Sequence, residues 1–494
     1  MHVRSTSSAL MRATSVAVLA ATFAACAEPT QPAIADGTGP AFNIAGDGSG
    51  TYLVRFSGNG IPAGFAASVA SQGGEVIFAH AGAGIAAVAG LTDAGADAIA
   101  AIGGVAAVDA DAYTEIDAIP DLLPEVAEAS PESPTAPGTA LRYNRQWNLH
   151  TIQAKGAWDA GFMGKSTTRV GILDTGIDYL HPDLFGRVDL ALSRSFLSAA
   201  ENARVQSAFP GAHEVADLNY HGTHVAATVA SNAYIYAGVS SNVTLVGFKV
   251  CAPGTAANGF RGTCPTSGTM AAILHAADLG IPVVNLSLGG TFNRRDASAR
   301  GGNGPSFLAT INQVMSYANR KGTTVVVSAG NSALDIDHDG NGYKSYCSAS
   351  HVICVSATGP TGAASVTGPW TNIDALAGYS NFGRSGISVA APGGNAVSVS
   401  AACSGFTVVT SLLACRDRFF NSPTSWSAFT VGLSGTSMAA PHVSGLAALV
   451  AGEVGNSPSQ IRARIQQAAD DLGLPGTDPA YGKGRINVAA TMGL

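Results

Sequence analysis

Three residues in this chain carry complementary chemistry, and each stands where an apolar run meets a turn. Asp174 ends the run "VGILD" and is followed by Thr175-Gly176. His221 opens "HGTHVAATVA", and Ser437 lies in "LSGTSMAAPHVSG", just ahead of an apolar helical stretch. A serine hydroxyl is a poor nucleophile until a base takes its proton. A histidine, with an unperturbed pKa of ~6.5, suits that task at neutral pH. A carboxylate can hold the imidazole tautomer and stabilise the imidazolium. Free N–H groups at a helix N-terminus can cradle the negative charge that develops on an attacked carbonyl. Each residue alone has a plainer reading: Asp174 as a turn former, His221 as a structural histidine, Ser437 as an N-cap. The set points to acyl transfer through a serine.

Other chemistries fit less well. Asp-Thr-Gly is also the triplet of aspartic proteases, but those need two copies and only one occurs here. His213-Glu214 lacks the second histidine that a zinc-binding HExxH helix requires. The stretch "DIDHDGNG" offers Asp335, Asp337, Asp339 and Asn341 at alternate positions, the pattern of a calcium loop. Tyr346 stands where an EF-hand needs glutamate, so the expectation is a surface structural calcium site, set against a solvated acidic turn. No cofactor is expected to take part in the chemistry. Cys26 aside, six cysteines remain, allowing fifteen pairings. Three local pairs stand out: Cys251 with Cys264, Cys347 with Cys354, and Cys403 with Cys415.

The elements that must position these residues are legible in outline. From about residue 141 onward, the runs "TRVGILDTGI", "VTLVGFKV", "IPVVNLSLGG" and "TTVVVSAGN" alternate with the helical patterns "HGTHVAATVASN", "TMAAILHAADLG" and "FLATINQVMSYANRKG". Near-continuous apolar strands spaced by helices predict an α/β fold with a parallel sheet covered on both faces. Chemistry in such sheets gathers at the C-terminal ends of the strands, where Asp174 and Asn331 fall. Residues 51–115 read as strand, helix, two strands, helix and strand, a ferredoxin-like α+β order. Residues 116–140 form an acidic, proline-spotted linker, expected to be extended and easily cut.

Arg4 and Arg12 precede an apolar stretch over 13–25, too short to span a membrane, so 1–27 reads as a secretory signal and 28–50 as a tether. Ala25-Cys26-Ala27 fits a small-x-small cleavage site, while "AAC" fits a lipobox that would place a lipid on Cys26, the only membrane attachment expected. With 12% charged residues and a formal net charge of −7, the chain has no basic footprint for nucleic acid.

The combination "DTGID…HP", "HGTHVA", "SAGN" and "GTSMAAPHVSG", in the order Asp174, His221, Ser437, resembles the subtilisin-like serine proteases. The match runs from about residue 148 to the C-terminus. The resemblance implies the catalytic roles above and gives Asn331 the part of side-chain oxyanion donor. It makes Ser287, Leu288, Gly289 and Gly290 one wall of the pocket for the residue before the cut, and Ser328, Ala329 and Gly330 the other. Neither wall carries a charge, so apolar or aromatic side chains are expected there; the floor is not identified. Pro441 falls in the helix bearing the nucleophile, and His442 reads as structural. Residues 51–115 resemble an inhibitor-type propeptide, so the expected partners are polypeptide substrates and the chain's own propeptide, on a monomeric, exported enzyme. The alternatives are a transpeptidase or cyclase of the same fold and a non-catalytic binding relative.

Overall fold

The computed structural model describes residues 50–116, 125–129 and 136–494, except 59, 256–260, 294–303, 339, 417–418, 423–424 and 456. The signal, the tether and most of the acidic linker lie outside the described residues.

The first unit has the expected order: β1 (Tyr52–Phe56), α1 (Phe65–Ser71), β2 (Glu75–His80), β3 (Ile85–Ala89), α2 (Asp93–Ala100) and β4 (Val105–Ala110). Its antiparallel sheet runs β2-β3-β1-β4. Tyr52, Val54 and Phe56 alternate onto one face and pack with Phe65, Val69, Ala96 and Ile99 of the two helices. Leu53, Ile85 and Ala87 point to the other face and join a core of the second unit.

Beyond it come β5 (Tyr113–Ile116), β6 (Glu125–Ala129), α3 (Trp147–Thr151), α4 (Ala154–Asp159), β7 (Arg169–Asp174), β8 (Arg194–Ser195), α5 (Ala199–Ala208), α6 (His221–Val229), β9 (Thr244–Lys249), β10 (Gly262–Pro265), α7 (Thr266–Asp278), β11 (Val283–Leu286), β12 (Thr291–Asn293), α8 (Pro305–Arg320), β13 (Thr324–Ser328), β14 (Gly342–Lys344) and β15 (Val352–Thr358). A small hairpin, β16 (Gly362–Ala363) and β17 (Trp370–Thr371), precedes β18 (Val389–Pro392), β19 (Val399–Ala402), β20 (Phe419–Ser422), β21 (Ser425–Leu433), α9 (Thr436–Val454), α10 (Pro458–Gln467) and α11 (Val488–Met492). Seven strands form one sheet in the order β18-β15-β13-β11-β7-β9-β8, all pairs parallel. The strand order reverses at β7, the switch point where crevices open in such sheets.

Strand alternation divides the core. Val170 and Ile172 of β7 pack on the side of α6 and α9, while Leu173 packs on the side of α7 and α8. Asp174, in step with Val170 and Ile172, therefore faces α6. The acidic linker departs from expectation: Glu125–Ala129 is not free chain but pairs antiparallel with β21. An edge strand offers unsatisfied backbone groups that an extended segment fills whatever its side chains.

The first unit docks on α7 and α8. β5 pairs antiparallel with β10. Asp111 accepts hydrogen bonds from Ser267 N (3.0 Å) and Ser267 Oγ at the start of α7. Asp109 accepts from Ser306 Oγ at the start of α8 (2.9 Å). His80 Nε2 meets Asp278 Oδ2 at 2.8 Å, and Gln313 donates to Ala83 O at 2.6 Å.

Burial raises the Asp111 carboxyl from 3.8 to about 6, against the opposing pull of its Ser267 bonds. The docked state thus holds a proton more tightly than a free aspartate does. Docking is strongest below about pH 4 and weakens as pH rises to about 6, by at most ~3 kcal/mol. Urea unfolding of a full-length Ser437→Ala chain should show the first unit losing stability over that interval and none above it. Asp111→Asn, which keeps the shape without the charge, should reduce the dependence, leaving the part carried by Asp109, which burial also raises.

Candidate active site

The end of β7 and the start of α6 meet through a hydrogen bond between two buried groups. Asp174 Oδ1 accepts from Thr175 N at 2.7 Å and lies 2.8 Å from His221 Nδ1. A carboxylate only accepts, so the ring proton sits on Nδ1 and leaves Nε2 as the acceptor. Asp174 is fully buried and His221 is 3% exposed. The two segments are held at close range. Gly222 N donates to Thr175 Oγ1 at 2.9 Å, and any Cβ on Gly222 would strike Gly176 O.

Asp217 organises this junction. Its carboxylate accepts from Asn219 N (3.0 Å), Thr223 N (2.9 Å) and Thr223 Oγ1 (2.6 Å). Asn219 Oδ1 in turn accepts from His221 N at 3.3 Å. Burial raises Asp217, while its hydrogen bonds and the charge of Lys249 oppose the rise. Burial pulls the Lys249 ammonium down to about 8. Its Nζ donates to Ala216 O at 2.6 Å.

A disulfide-closed loop braces the same junction. Ser404 Oγ donates to Asp217 O (2.7 Å), Gly405 N to Asp178 Oδ2 (2.8 Å) and Val408 N to Leu218 O (2.7 Å). The loop between Cys403 and Cys415 therefore bridges the segment after Asp174 and the segment before His221. All three expected local disulfides are present: Cys251–Cys264, Cys347–Cys354 and Cys403–Cys415.

Ser437 is the second residue of α9, where a backbone N–H has no acceptor within the helix. Its Oγ is turned to Ser287 O at 3.2 Å. Asn331 Oδ1 accepts from Thr436 N (2.9 Å) and Thr436 Oγ1 (2.8 Å), which caps α9 and fixes the amide plane. Thr436 Oγ1 accepts from Gly330 N at 2.9 Å. The Asn331 Nδ2 hydrogens make no hydrogen bond among the described residues and border Gly435.

Pro441 removes the N–H that would have bonded the Ser437 carbonyl one turn earlier. Ser287 Oγ fills that vacancy, donating to Ser437 O at 2.7 Å. Asn285 links the network, donating to Ser287 Oγ (2.9 Å) and accepting from Ser444 Oγ (2.8 Å). The helix break thereby ties the serine to the adjacent strand. His442, as expected, is structural: Nδ1 meets Met438 O and Nε2 meets Asn148 Nδ2, each at 2.8 Å. Burial lowers it to about 4 and lowers His224 to about 3. Both stay neutral where His221 would work.

The two expected walls extend side by side from β11 and β13, which are neighbours in the sheet. Ser287, Leu288, Ser328 and Ala329 are buried. Gly330 has φ +99°, and a Cβ there would run into Cε and Nζ of Lys344. The expectation of an uncharged pocket came from the walls alone. The side chain of Lys344 in β14, itself buried, lies against Gly330, a contact for which the sequence gives no sign. In the expected calcium loop, the carboxylates of Asp335 and Asp337 are turned to protein partners. Asp335 Oδ2 meets His338 Nδ1 at 2.8 Å, and Asp337 is turned to Ser385 N and Oγ. Asp339 lies outside the described residues, and Asn341 makes no side-chain hydrogen bond among them. Among those residues no group of three His, Cys, Asp or Glu could hold a metal.

Comparison with known proteins agrees with this geometry. Residues 165–484 match the Subtilase family. Thermitase of Thermoactinomyces vulgaris is 31% identical over 350 residues, covering 70% of this chain and 94% of that protein. Subtilisin Savinase of Lederbergia lenta is 30% identical, covering 70% and 97%. A thermophilic serine proteinase of Bacillus sp. strain AK1 is 31% identical, and the match covers 67% of this chain and 63% of that protein. Among solved structures, the epidermin leader peptide processing serine protease of Staphylococcus aureus superposes with a TM-score of 0.66 at 20% identity, covering 90% of this chain and 98% of that one. Fervidolysin of Fervidobacterium pennivorans gives 0.62 at 24%, covering 90% and 61%. The chain belongs to the subtilase family and is a subtilisin-like serine endopeptidase.

The bracing loop yields a test. Replacing both Cys403 and Cys415 by serine should lower kcat by roughly tenfold, ~1.4 kcal/mol, with KM little changed. Asp174 and His221 would lose a common support while the two expected walls stay intact. Steady-state kinetics on one peptide substrate would show the split.

Proposed function

We propose that this chain is an exported endopeptidase that works through Asp174, His221 and Ser437, made as a proenzyme whose residues 51–115 inhibit it and assist its folding. The observation that carries the reading is the 2.8 Å bond between Asp174 Oδ1 and His221 Nδ1, at the C-terminal end of a central strand. His221 Nε2 takes the proton of Ser437 Oγ as that oxygen bonds to the substrate carbonyl carbon. The oxyanion accepts from Asn331 Nδ2 and the Ser437 N–H. The C–N bond then breaks, and His221 gives its proton to the departing amine. Water, losing a proton to His221, attacks the acyl ester; the bond from carbonyl carbon to Ser437 Oγ breaks, that oxygen takes the proton back from His221, and the acid is freed. Two glycine-rich edges, Gly289-Gly290 and Gly330, leave room for an extended substrate backbone to add alongside them.

The first unit suits an inhibitor because it is tied to α7 and α8 by carboxylates and by the β5–β10 pairing. It suits a folding aid because a parallel sheet, rich in non-local contacts, forms slowly unless its helices are held. The apolar stretch over 13–25, preceded by Arg4 and Arg12, supports export.

A fluorophosphonate should label the wild-type protein at Ser437 and leave Ser437→Ala unlabelled, with peptide hydrolysis and cleavage of the linker lost together. Asn331→Ala should lower kcat by about 10²–10³ and change KM little. A chain lacking residues 51–115 should refold to an inactive form and recover activity when that segment is added in trans. Efficient unaided refolding would count against the proenzyme role.

A further inference from the structure

β13 ends at Ser328, and Ala329 N makes one more bond to its neighbour, to Val355 O at 2.9 Å. Beyond that the chain leaves the sheet and carries Asn331 to the start of α9. Residues 329–334 belong to no helix or strand, so their backbone groups need other partners. The course is irregular. Gly330 has φ +99° and Ala333 has φ +52°, a left-handed value that an alanine keeps only where its surroundings impose it.

One residue supplies most of the partners. Asn381 Nδ2 donates to Ala329 O at 2.9 Å, and the Asn381 backbone N donates to Gly330 O at 2.9 Å. Its Oδ1 accepts from Ser332 N at 3.1 Å and from Leu334 N at 2.9 Å. Asn381 therefore holds the chain on both sides of Asn331, at Ala329 and Gly330 before it and at Ser332 and Leu334 after it. The side chain is fully buried, so bulk water does not compete for these bonds. The fit is close: a Cβ on Gly330 would lie 2.7 Å from Asn381 Nδ2. The neighbours of Asn381 add to the hold. Tyr379 O accepts from Ala333 N at 2.8 Å, and Phe382 N donates to Leu334 O at 2.9 Å. Ser380 Oγ accepts from Ala357 N of β15 at 3.0 Å, which ties this segment to the sheet.

Thr436 fixes the amide of Asn331 at its Oδ1, and Asn381 fixes the backbone from which that amide extends. A donor serves an oxyanion only within a narrow range of distance, and a misplacement of about 1 Å can cost ~10²-fold in rate. We propose that Asn381 is a positioning residue of the reaction, which holds the turn over 329–334 so that Asn331 Nδ2 is aimed at the oxyanion. The inference rests on the reading of Asn331 as oxyanion donor. A residue that served only the substrate wall would act on KM. A residue that served only folding would act equally with or without the Asn331 amide.

The test is a double-mutant cycle, with kcat counted per site titrated to completion by a fluorophosphonate so that unfolded protein does not enter. Asn381→Ala should lower kcat by about ten- to a hundredfold and leave KM within about threefold of wild type. In an Asn331→Ala background the same substitution should change kcat by less than about threefold, because the amide it positions is gone. The cycle is repeated with Asn381→Asp, which keeps an acceptor for Ser332 N and Leu334 N and gives up the donor to Ala329 O. It should show the same pattern, and it decides the question where Asn381→Ala leaves no titratable site. An equal loss of kcat in both backgrounds, a raised KM with kcat retained, or wild-type kinetics in Asn381→Ala would overturn the positioning role and leave Asn331 as donor. A kcat unchanged by Asn331→Ala alone would overturn the donor role and this inference with it.

Discussion

A hydrogen bond between the carboxylate of Asp174 and the ring of His221 sets the demands that the surrounding chain meets. Both groups are buried, so neither finds water to orient it, and small displacements would change which ring nitrogen carries the proton. The sheet supplies one half of the constraint by ending β7 with its last side chain facing α6. The other half comes from outside the sheet. Gly222 allows α6 to approach within reach of Gly176, Asp217 gathers the donors around the first turn of α6, and the Cys403–Cys415 loop reaches across to both segments. The Asp174–His221 pair is thus fixed by chain segments nearly 190 residues apart, as the separation of Ser404 from Asp217 attests.

The serine is fixed by a different device. A proline in the second turn of a buried helix leaves one carbonyl without a partner, and an unsatisfied carbonyl in a core costs about 1–3 kcal/mol. Here that carbonyl belongs to Ser437 itself, and Ser287 Oγ fills it. Because Ser287 also begins one of the two proposed substrate walls, the bond couples the position of the proposed nucleophile to that wall. On the far side of the helix start, Asn331 caps Thr436 through Oδ1. The same residue leaves its Nδ2 hydrogens directed toward Gly435, where no described group takes them. One amide both anchors the helix and offers donors beside the serine.

Much of this was legible in the sequence. The strand–helix alternation gave the parallel sheet, because buried strands are apolar throughout and helices keep a longer period. The order of the small first unit followed from six short patterned runs, β1 to β4 with α1 and α2. The three disulfides agreed with the simplest local pairing. Other features had no local signature. Glu125–Ala129 is acidic and reads as free chain, yet it is a strand because β21 has an open edge to fill. Asp217 looks like any loop aspartate until its donors are seen. Lys344 is a single lysine in a short polar stretch, and only the folding of β14 across the sheet end brings it to Gly330. The pairing of Glu125–Ala129 joins residues far apart in the chain, and the donors of Asp217, though near it in sequence, are gathered by a turn whose shape a hydrophobic pattern does not give.

The direct measurement of the central constraint is the kinetics of Asp174→Asn, with folding checked by unchanged circular dichroism. An asparagine fills the same volume but can donate to Nδ1, which moves the ring proton to Nε2 and removes the base. A fall in kcat of about 10⁴, with KM close to the wild-type value, is the predicted result. A variant that keeps its kcat within tenfold of wild type would contradict the account, because the bond between the buried acid and the ring would then not govern the chemistry.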